Sequence, residues 1–259
     1  MNKGGSLGLL AQQLRAGKCV FSAWCGIGEP ILAEMLVREG FDTAVLDMQH
    51  GAYDYARAHL GISHISLAGK SAIVRIPVGD FAEVSRLLDA GAAGIIAPMI
   101  NSVEDARTFA AFAKYPPLGE RSWGPARALT LSGMNATDYF QSANDFTRAI
   151  AMIETREAMA ALDDILAVPG IDGIFIGPSD LSIALTNGRT VDPMASEVLG
   201  ALDHIVARAK AHNKFSGIFT FSGKVARDMA ARGFNLCSIS NDTGLLRQAG
   251  ALELAAARA

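Results

Sequence analysis

The sequence predicts a (β/α)8 barrel, an all-parallel sheet closed on itself inside a ring of helices. Three observations predict it. Short runs rich in Val, Ile and Phe recur eight times along the 259 residues. Each run is apolar throughout rather than alternating, as befits a parallel strand buried on both faces. Longer segments with helical period separate the runs, and several close on a glycine (Gly40, Gly91, Gly170, Gly233) just before the next strand. A chain of this length can fold as one barrel, so 1–259 is read as a single domain. An open doubly wound sheet is the alternative, but no G-x-G-x-x-G follows the first strand.

Taken in order, residues 6–16 read as an N-terminal helix closed by Gly17; Gln12 and Gln13 make this stretch too polar for a secretion signal. The strands are expected at 20–25, 43–48, 72–76, 94–98, 149–153, 173–176, 215–219 and 236–240. Helices are expected at 30–39, 80–90, 103–114, 158–168, 196–212 and 224–232. One connection, 115–146, is far longer than the rest and holds Pro116, Pro117, Gly119, Gly124, Pro125 and Gly133. Loops of that length are functional or carry small helices of their own. The Ala-rich segment 243–259 reads as a C-terminal helix that either closes the barrel or exchanges with a neighbouring subunit.

Composition narrows the function classes. With 50% hydrophobic and 19% charged residues the chain is not disordered. No run reaches the roughly 18 apolar residues of a membrane span. A net charge of −3 without a basic run predicts neither a nucleic-acid partner nor a membrane surface. Cys19, Cys25 and Cys237 form no CxxC pair and sit among apolar residues, as reduced thiols of a cytoplasmic protein do.

In such barrels chemistry lies at the C-terminal ends of the strands, so the polar groups there are the candidates. Strand 2 ends in Asp47, Gln49 and His50; strand 3 carries Arg75; strand 5 ends in Glu154; strand 6 ends in Gly177, Pro178, Ser179 and Asp180; strand 8 ends in Asn241 and Asp242. Glu154 and Asp180, without Cys or His beside them, suit a hard oxygen-seeking cation. Alternatively, Asp180 caps a helix and Glu154 pairs with Arg156. His50 is the one histidine at a strand end, a general-base candidate with Asp47 placed to orient its ring. Arg75, inside an apolar strand, must be paired or bind an anion. The 177–180 turn opens a helix whose backbone N–H groups suit a small carboxylate. Lys70 and Lys214 precede their strands, which argues against an imine-forming lysine.

These residues lie in strings that resemble the HpcH/HpaI aldolase family: LDMQHG at 46–51, VRIP at 74–77, YPPLGER at 115–121, IETREA at 153–158 and GIDGIFIGPSDLS at 170–182. The match runs over roughly residues 20–240 in the family's order. The resemblance implies a metal-dependent pyruvate aldolase that cleaves 4-hydroxy-2-keto acids to a keto acid and an aldehyde through an enolate. It implies Glu154 and Asp180 as ligands of Mg²⁺ or Mn²⁺, with Co²⁺ a further option, and no organic cofactor. It makes His50 the base, Arg75 the stabiliser of the enolate oxygen, and the backbone around Gly177, Pro178, Ser179 and Asp180 the cradle of the keto-acid carboxylate. Trp24 and Met152 complete the expected substrate contacts. The family's acid that raises the basicity of the histidine falls on Asp89. That residue ends the 80–90 helix, at the opposite face from His50, so it is expected to assist across a subunit interface. The resemblance also implies a homo-oligomer, commonly a hexamer built as a trimer of dimers with exchanged C-terminal helices.

Two positions depart from the family pattern. Gln49 stands where many members have Glu, and Met152 where a substrate-contacting Gln precedes the metal Glu. Both leave the donor open between pyruvate and hydroxypyruvate. Arg121, Trp123 and Arg127 of the long connection are candidates for the aldehyde side or for a subunit contact. Alternatives from other classes are a lyase of acyl-CoA esters, which should show extra basic residues near the mouth, and a non-catalytic barrel that binds keto acids.

Overall fold

Eight parallel strands pair in chain order and close, the last bonding back to the first, in a computed structural model that describes residues 4–259. They are β1 (Val20–Cys25), β2 (Thr43–Asp47), β3 (Ser71–Arg75), β4 (Gly94–Ala97), β5 (Arg148–Met152), β6 (Gly173–Ile176), β7 (Phe215–Thr220) and β8 (Leu236–Ile239). Each lies within one residue, at either end, of its expected position. The helices are α1 (Gly5–Arg15), α2 (Pro30–Arg38), α3 (Tyr55–Leu67), α4 (Ala82–Asp89), α5 (Val103–Ala113), α6 (Ala126–Ser132), α7 (Ala136–Phe146), α8 (Arg156–Ala160), α9 (Leu162–Ala167), α10 (Pro178–Leu185), α11 (Ser196–Ala211), α12 (Gly223–Arg232) and α13 (Asp242–Arg258).

Side-chain alternation along the strands sorts residues into two layers. Val20, Trp24, Val45, Ile73, Ile96, Ile150, Met152, Phe175 and Leu236 fill the barrel interior. Ala44, Leu46, Val74, Ile95, Ala151 and Ile174 point outward against helix residues such as Ile62, Leu87, Phe109 and Leu202. The same period of two carries Asp47, Arg75 and Glu154 inward at the top of β2, β3 and β5. Helix starts are set by short polar side chains: Asp54 accepts from Arg57 N–H at 2.8 Å, Ser102 from Asp105 N–H at 3.1 Å, and Asn241 from Gly244 N–H at 2.7 Å.

One helix differs from expectation, and the long connection takes the second of its two expected forms, small helices of its own. The helix expected at 158–168 is broken at Ala161 into α8 and α9. Thr155 caps the first piece, while the break turns Leu162, Ile165 and Leu166 of the second onto the core. The long connection is not a loop: it folds α6 and α7, which pack against α1 at the N-terminal end of the barrel. There Leu10 of α1 enters the interior cluster from below, and its N–H donates to Ser71 Oγ at 3.0 Å. The barrel floor is therefore closed by α1. Of α13, only Asp242 is buried, and Leu246, Leu252 and Leu254 are 53%, 64% and 50% exposed. The three cysteines are free, with Cys19 Sγ 3.7 Å from Cys237 Sγ. Among the described residues no helix is long and apolar enough to cross a membrane.

Leu10→Ala should leave a cavity beneath the floor that α1 cannot collapse into. The expected loss is about 3 kcal/mol in denaturant unfolding, with a lower midpoint at unchanged slope.

Candidate active site

A cleft of about 350 Å³ opens at the C-terminal mouth of the barrel. Its centre is an ion pair. Asp47 and Arg75 are cross-strand neighbours at the ends of β2 and β3. Arg75 donates from Nε to Asp47 Oδ1 at 2.9 Å and from Nη2 to Oδ2 at 2.6 Å, both side chains being nearly fully buried. Trp24 Nε1 donates to the same carboxylate at 3.1 Å, and its ring lies 4.9 Å from the guanidinium carbon. The backbone N–H groups of Gln49 and His50 add donors at 3.0 and 3.3 Å. Burial pushes the Asp47 carboxyl up, but Arg75, Trp24 and the His50 N–H together hold it below the usual aspartate range.

This geometry corrects one expectation. Asp47 does not orient the His50 ring: it meets His50 only at the backbone N–H, because the guanidinium one strand away claims both carboxylate oxygens. The His50 side chain is exposed over the cleft and has no partner among the described residues. Arg75 is paired, as a buried cation must be, and its Nη1 is left without a protein acceptor among the described residues.

The second pair of groups is acidic. Glu154 is 3% exposed, and its Oε1 accepts from Met99 N–H at 3.0 Å. Met99 adopts the left-handed backbone region (φ 55°) to aim that N–H. Asp180 stands in the first turn of α10, whose start at Gly177 has no side-chain cap, so Asp180 is not a capping acid. Nor does Glu154 pair with Arg156, which donates instead to the carbonyls of Ala184 and Leu185. A Cβ at Gly177 would collide with Glu154 Oε2 and lie 3.5 Å from Asp180 Oδ2; both carboxylates thus border one small space that only glycine leaves open. Burial, with the Asp180 charge adding to it against the Met99 N–H, pushes the Glu154 carboxyl up to about 7. Among the described residues no three His, Cys, Asp or Glu side chains gather as a metal cage.

Met152, Trp24 and Phe175 line the inner wall, with the Trp24 and Phe175 rings 5.6 Å apart. Gly177, Pro178 and Ser179 complete that side. Sequence reasoning gave no role to Phe219 and Phe221, which stack edge-on at 5.2 Å along the mouth. Their position at the end of β7 was the available signal. No lysine lines the cleft among the described residues; Lys114 binds Asp172 at 2.7 Å and Lys214 the carbonyl of Ile171.

Asp89 is not part of this cleft. It pairs with Arg121 at 2.6 Å, near the N-terminal end of the barrel. Burial raises its carboxyl despite that partner. Arg121 is fully buried over the Tyr115 ring and Arg127 donates to Ser63 Oγ at 3.1 Å. Within one chain, then, neither these arginines nor Trp123 lines the cleft, which removes them from the aldehyde side of this chain's own site.

Asp47→Asn should strand the buried guanidinium and cost about 3 kcal/mol at neutral pH. Because the folded-state pKa of Asp47 lies below its unfolded value, its contribution is present above about pH 4 and is lost as pH falls further, through the folded pKa. Denaturant midpoints measured from pH 7 downward should show that acid-side loss in the native protein, and the variant should lack the part Asp47 supplies.

A model of the HpcH/HpaI aldolase/citrate lyase family matches residues 21–249. A hydroxypyruvate/pyruvate aldolase of Rhizorhabdus wittichii is 40% identical over 243 residues, covering 94% of this chain and 96% of its own. A 4-hydroxy-2-oxo-heptane-1,7-dioate aldolase of Salmonella dublin is 34% identical, covering 94% and 91%. The crystal structure of an HpcH/HpaI aldolase from Desulfitobacterium hafniense superposes with a TM-score of 0.89 at 31% identity over 96% of each chain. A closed barrel with this cleft, matched by family model and relatives over nearly its whole length, makes the chain a member of the HpcH/HpaI aldolase/citrate lyase family.

Proposed function

We propose that this chain is a carbon–carbon lyase, a metal-dependent aldolase interconverting 4-hydroxy-2-keto acids with an aldehyde and pyruvate or hydroxypyruvate. The observation that carries this reading is a cleft lined by Asp180 and by a guanidinium with a free donor, with the buried Glu154 carboxylate against Gly177 at its wall. The Glu154–Asp180 pair fits a hard divalent cation: oxygen donors only, one of them raised by burial and like charge, and too few for a closed structural site. Mg²⁺ or Mn²⁺ suits it, and Co²⁺ is a further option. Such a cation supplies Lewis-acid polarisation of the keto carbonyl.

The chain's own groups do the rest. The N–H groups at the start of α10, from Ser179 and Asp180, hold the keto-acid carboxylate. His50 takes the proton of the 4-hydroxyl, directly or through water, as the C3–C4 bond breaks and the aldehyde departs. Arg75 Nη1 donates to the oxygen on which negative charge develops in the enolate, pre-aimed by Asp47 so that little reorganisation is needed. The imidazolium so formed returns the proton to C3 of the enolate, directly or through water, which releases the keto acid, and condensation runs the same path backwards. Trp24, Met152, Gly177 and Pro178 wall the pocket against water.

The same reading takes the protein to be a cytoplasmic homo-oligomer, a hexamer arranged as a trimer of dimers. The exposed leucines of α13 support exchange of that helix, and the distance of Asp89 from its own cleft supports its action on the His50 of a neighbour. Deletion of residues 246–259 should then give a smaller species by light scattering that has lost most activity. A folded, fully active monomer would remove Asp89 from the mechanism.

Exchange of pyruvate and hydroxypyruvate C3 protons with D₂O, followed by NMR, tests enolisation without a guess at the aldehyde. Exchange should require Mg²⁺ or Mn²⁺, stop with EDTA, and fall by about a hundredfold or more in His50→Ala and Arg75→Ala. Glu154→Gln and Asp180→Asn should each weaken Mn²⁺ binding by titration calorimetry. Absence of exchange with either donor and either metal sinks the aldolase reading.

A further inference from the structure

Asp242 is a buried acid at the mouth of the barrel to which the mechanism gives no task. It lines the cleft at the start of α13 and is 2% exposed. Its oxygens are nonetheless spoken for. Oδ2 accepts from Gly26 N–H and Ile27 N–H, both at 2.9 Å, and Oδ1 accepts from Thr243 N–H at 2.8 Å. A carboxylate filled by three backbone donors is neither a free base nor an open ligand. It is a clamp, and a strong one, since each bond has an ionised acceptor.

What it clamps is the turn after β1, and that turn bears on the His50 loop. Gly26 carbonyl accepts from Ala52 N–H at 2.8 Å. A Cβ at Gly51 would fall 3.0 Å from Gly26 Cα and from Gly26 O. A Cβ at Gly28 would fall 2.7 Å from Ala52 O. Gly26 and Gly28 thus interlock backbone to backbone with Gly51 and Ala52, next to His50, at distances that leave no room for a side chain. On its other flank the His50 N–H makes a long bond to Asp47 Oδ1 at 3.3 Å. Among the described residues of one chain the imidazole has no partner, so this chain's own hold on it is through the backbone that carries it. His50 is therefore held from two sides: back to Asp47, through the Gln49 and His50 N–H bonds and the close approach of Gly51 to the Asp47 carbonyl, and forward through Ala52 and Gly26 to Asp242.

We propose that Asp242 is a positioning residue for His50, acting through the interlocked turns at Gly26 and Gly51. The proposal rests on the reading of His50 as the base. Displacing the base should slow proton transfer while leaving the keto-acid contacts at Ser179, Asp180 and Arg75 in place, a loss in kcat and not in KM.

The test compares Asp242→Ala with Asp242→Asn, whose amide oxygen still accepts from Gly26 and Ile27. Asp242→Ser serves if the alanine variant does not fold: it keeps a polar group for α13 but falls short of Gly26. Alanine or serine should lower kcat about tenfold or more, with KM for the keto acid within about twofold of the native protein. Amide exchange at Ala52 should quicken, and the carbethoxylation rate of His50 should change. Asparagine should retain more than half of kcat and native exchange at Ala52. Native kcat in a folded alanine or serine variant overturns the proposal. So does an asparagine variant as slow as alanine with Ala52 still protected, since the charge itself would then be acting. Should the native protein turn over no keto acid, the aldolase reading fails by itself. Ala52 exchange and His50 carbethoxylation, unchanged or changed in the variant, then decide the role of Asp242.

Discussion

At the top of the barrel a guanidinium and a carboxylate are buried together between β2 and β3, and the mouth of the barrel is arranged to keep them paired. Burying two charges costs several kcal/mol per ion unless geometry and extra hydrogen bonds offset the lost hydration. Here the offset is visible. Asp47 takes two donors from Arg75, one from Trp24 and two from the backbone of Gln49 and His50. Consequences radiate from that pair. It fixes the Trp24 ring that walls the pocket, bends the chain after β2 so that His50 overhangs the cleft, and points one unused N–H group of Arg75 into it. It also removes Asp47 from direct service to the imidazole.

Two acids in the same mouth show how environment divides labour. Asp47 is over-supplied with donors, and they hold its carboxyl below the usual aspartate range despite its burial. Glu154 receives one backbone N–H, faces Asp180, and is pushed up to about 7. Both are buried, so exposure does not separate them; the difference lies in what stands opposite. A cation already occupies the space before Asp47. Before Glu154 there is a second carboxylate and a glycine, an arrangement that favours the protonated carboxyl, and the more distant Arg75 only partly offsets it. The left-handed backbone at Met99 and the missing Cβ at Gly177 are local costs accepted to hold that arrangement.

The other end of the barrel is built for stability. Helix α1 plugs the floor with Leu10, and the segment carrying α6 and α7 wraps it with a separate apolar cluster of Leu7, Tyr115, Tyr139 and Phe146. The buried Arg121–Asp89 pair lies in this lower layer and, within one chain, serves the packing there; its proposed catalytic part is played at the cleft of a neighbour. That segregation follows the general division of such barrels between a functional upper face and a structural lower one. The loosely seated α13 starts in the upper face through Asp242 and then leaves the body of the chain, its leucines uncovered.

The eight strands were legible because a parallel strand buried on both faces is a continuous apolar run, a purely local pattern. The polar candidates were legible for a related reason: Asp47, His50, Arg75, Glu154 and Asp180 lie at or just beyond the ends of those runs, which puts them at one mouth of the barrel. Which of them touch was not. Asp47 meets Arg75 rather than the His50 ring because strand register sets them side by side, and register is settled only when the sheet closes. The break at Ala161, the floor position of α6 and α7, and the clamp of Asp242 on Gly26 depend likewise on contacts between segments far apart in the chain. Composition and period thus determined the fold from the sequence alone, and strand ends together with the family strings supplied the site candidates. Partner choice was decided by tertiary structure, because a buried charge bonds to whatever the closed barrel places nearest.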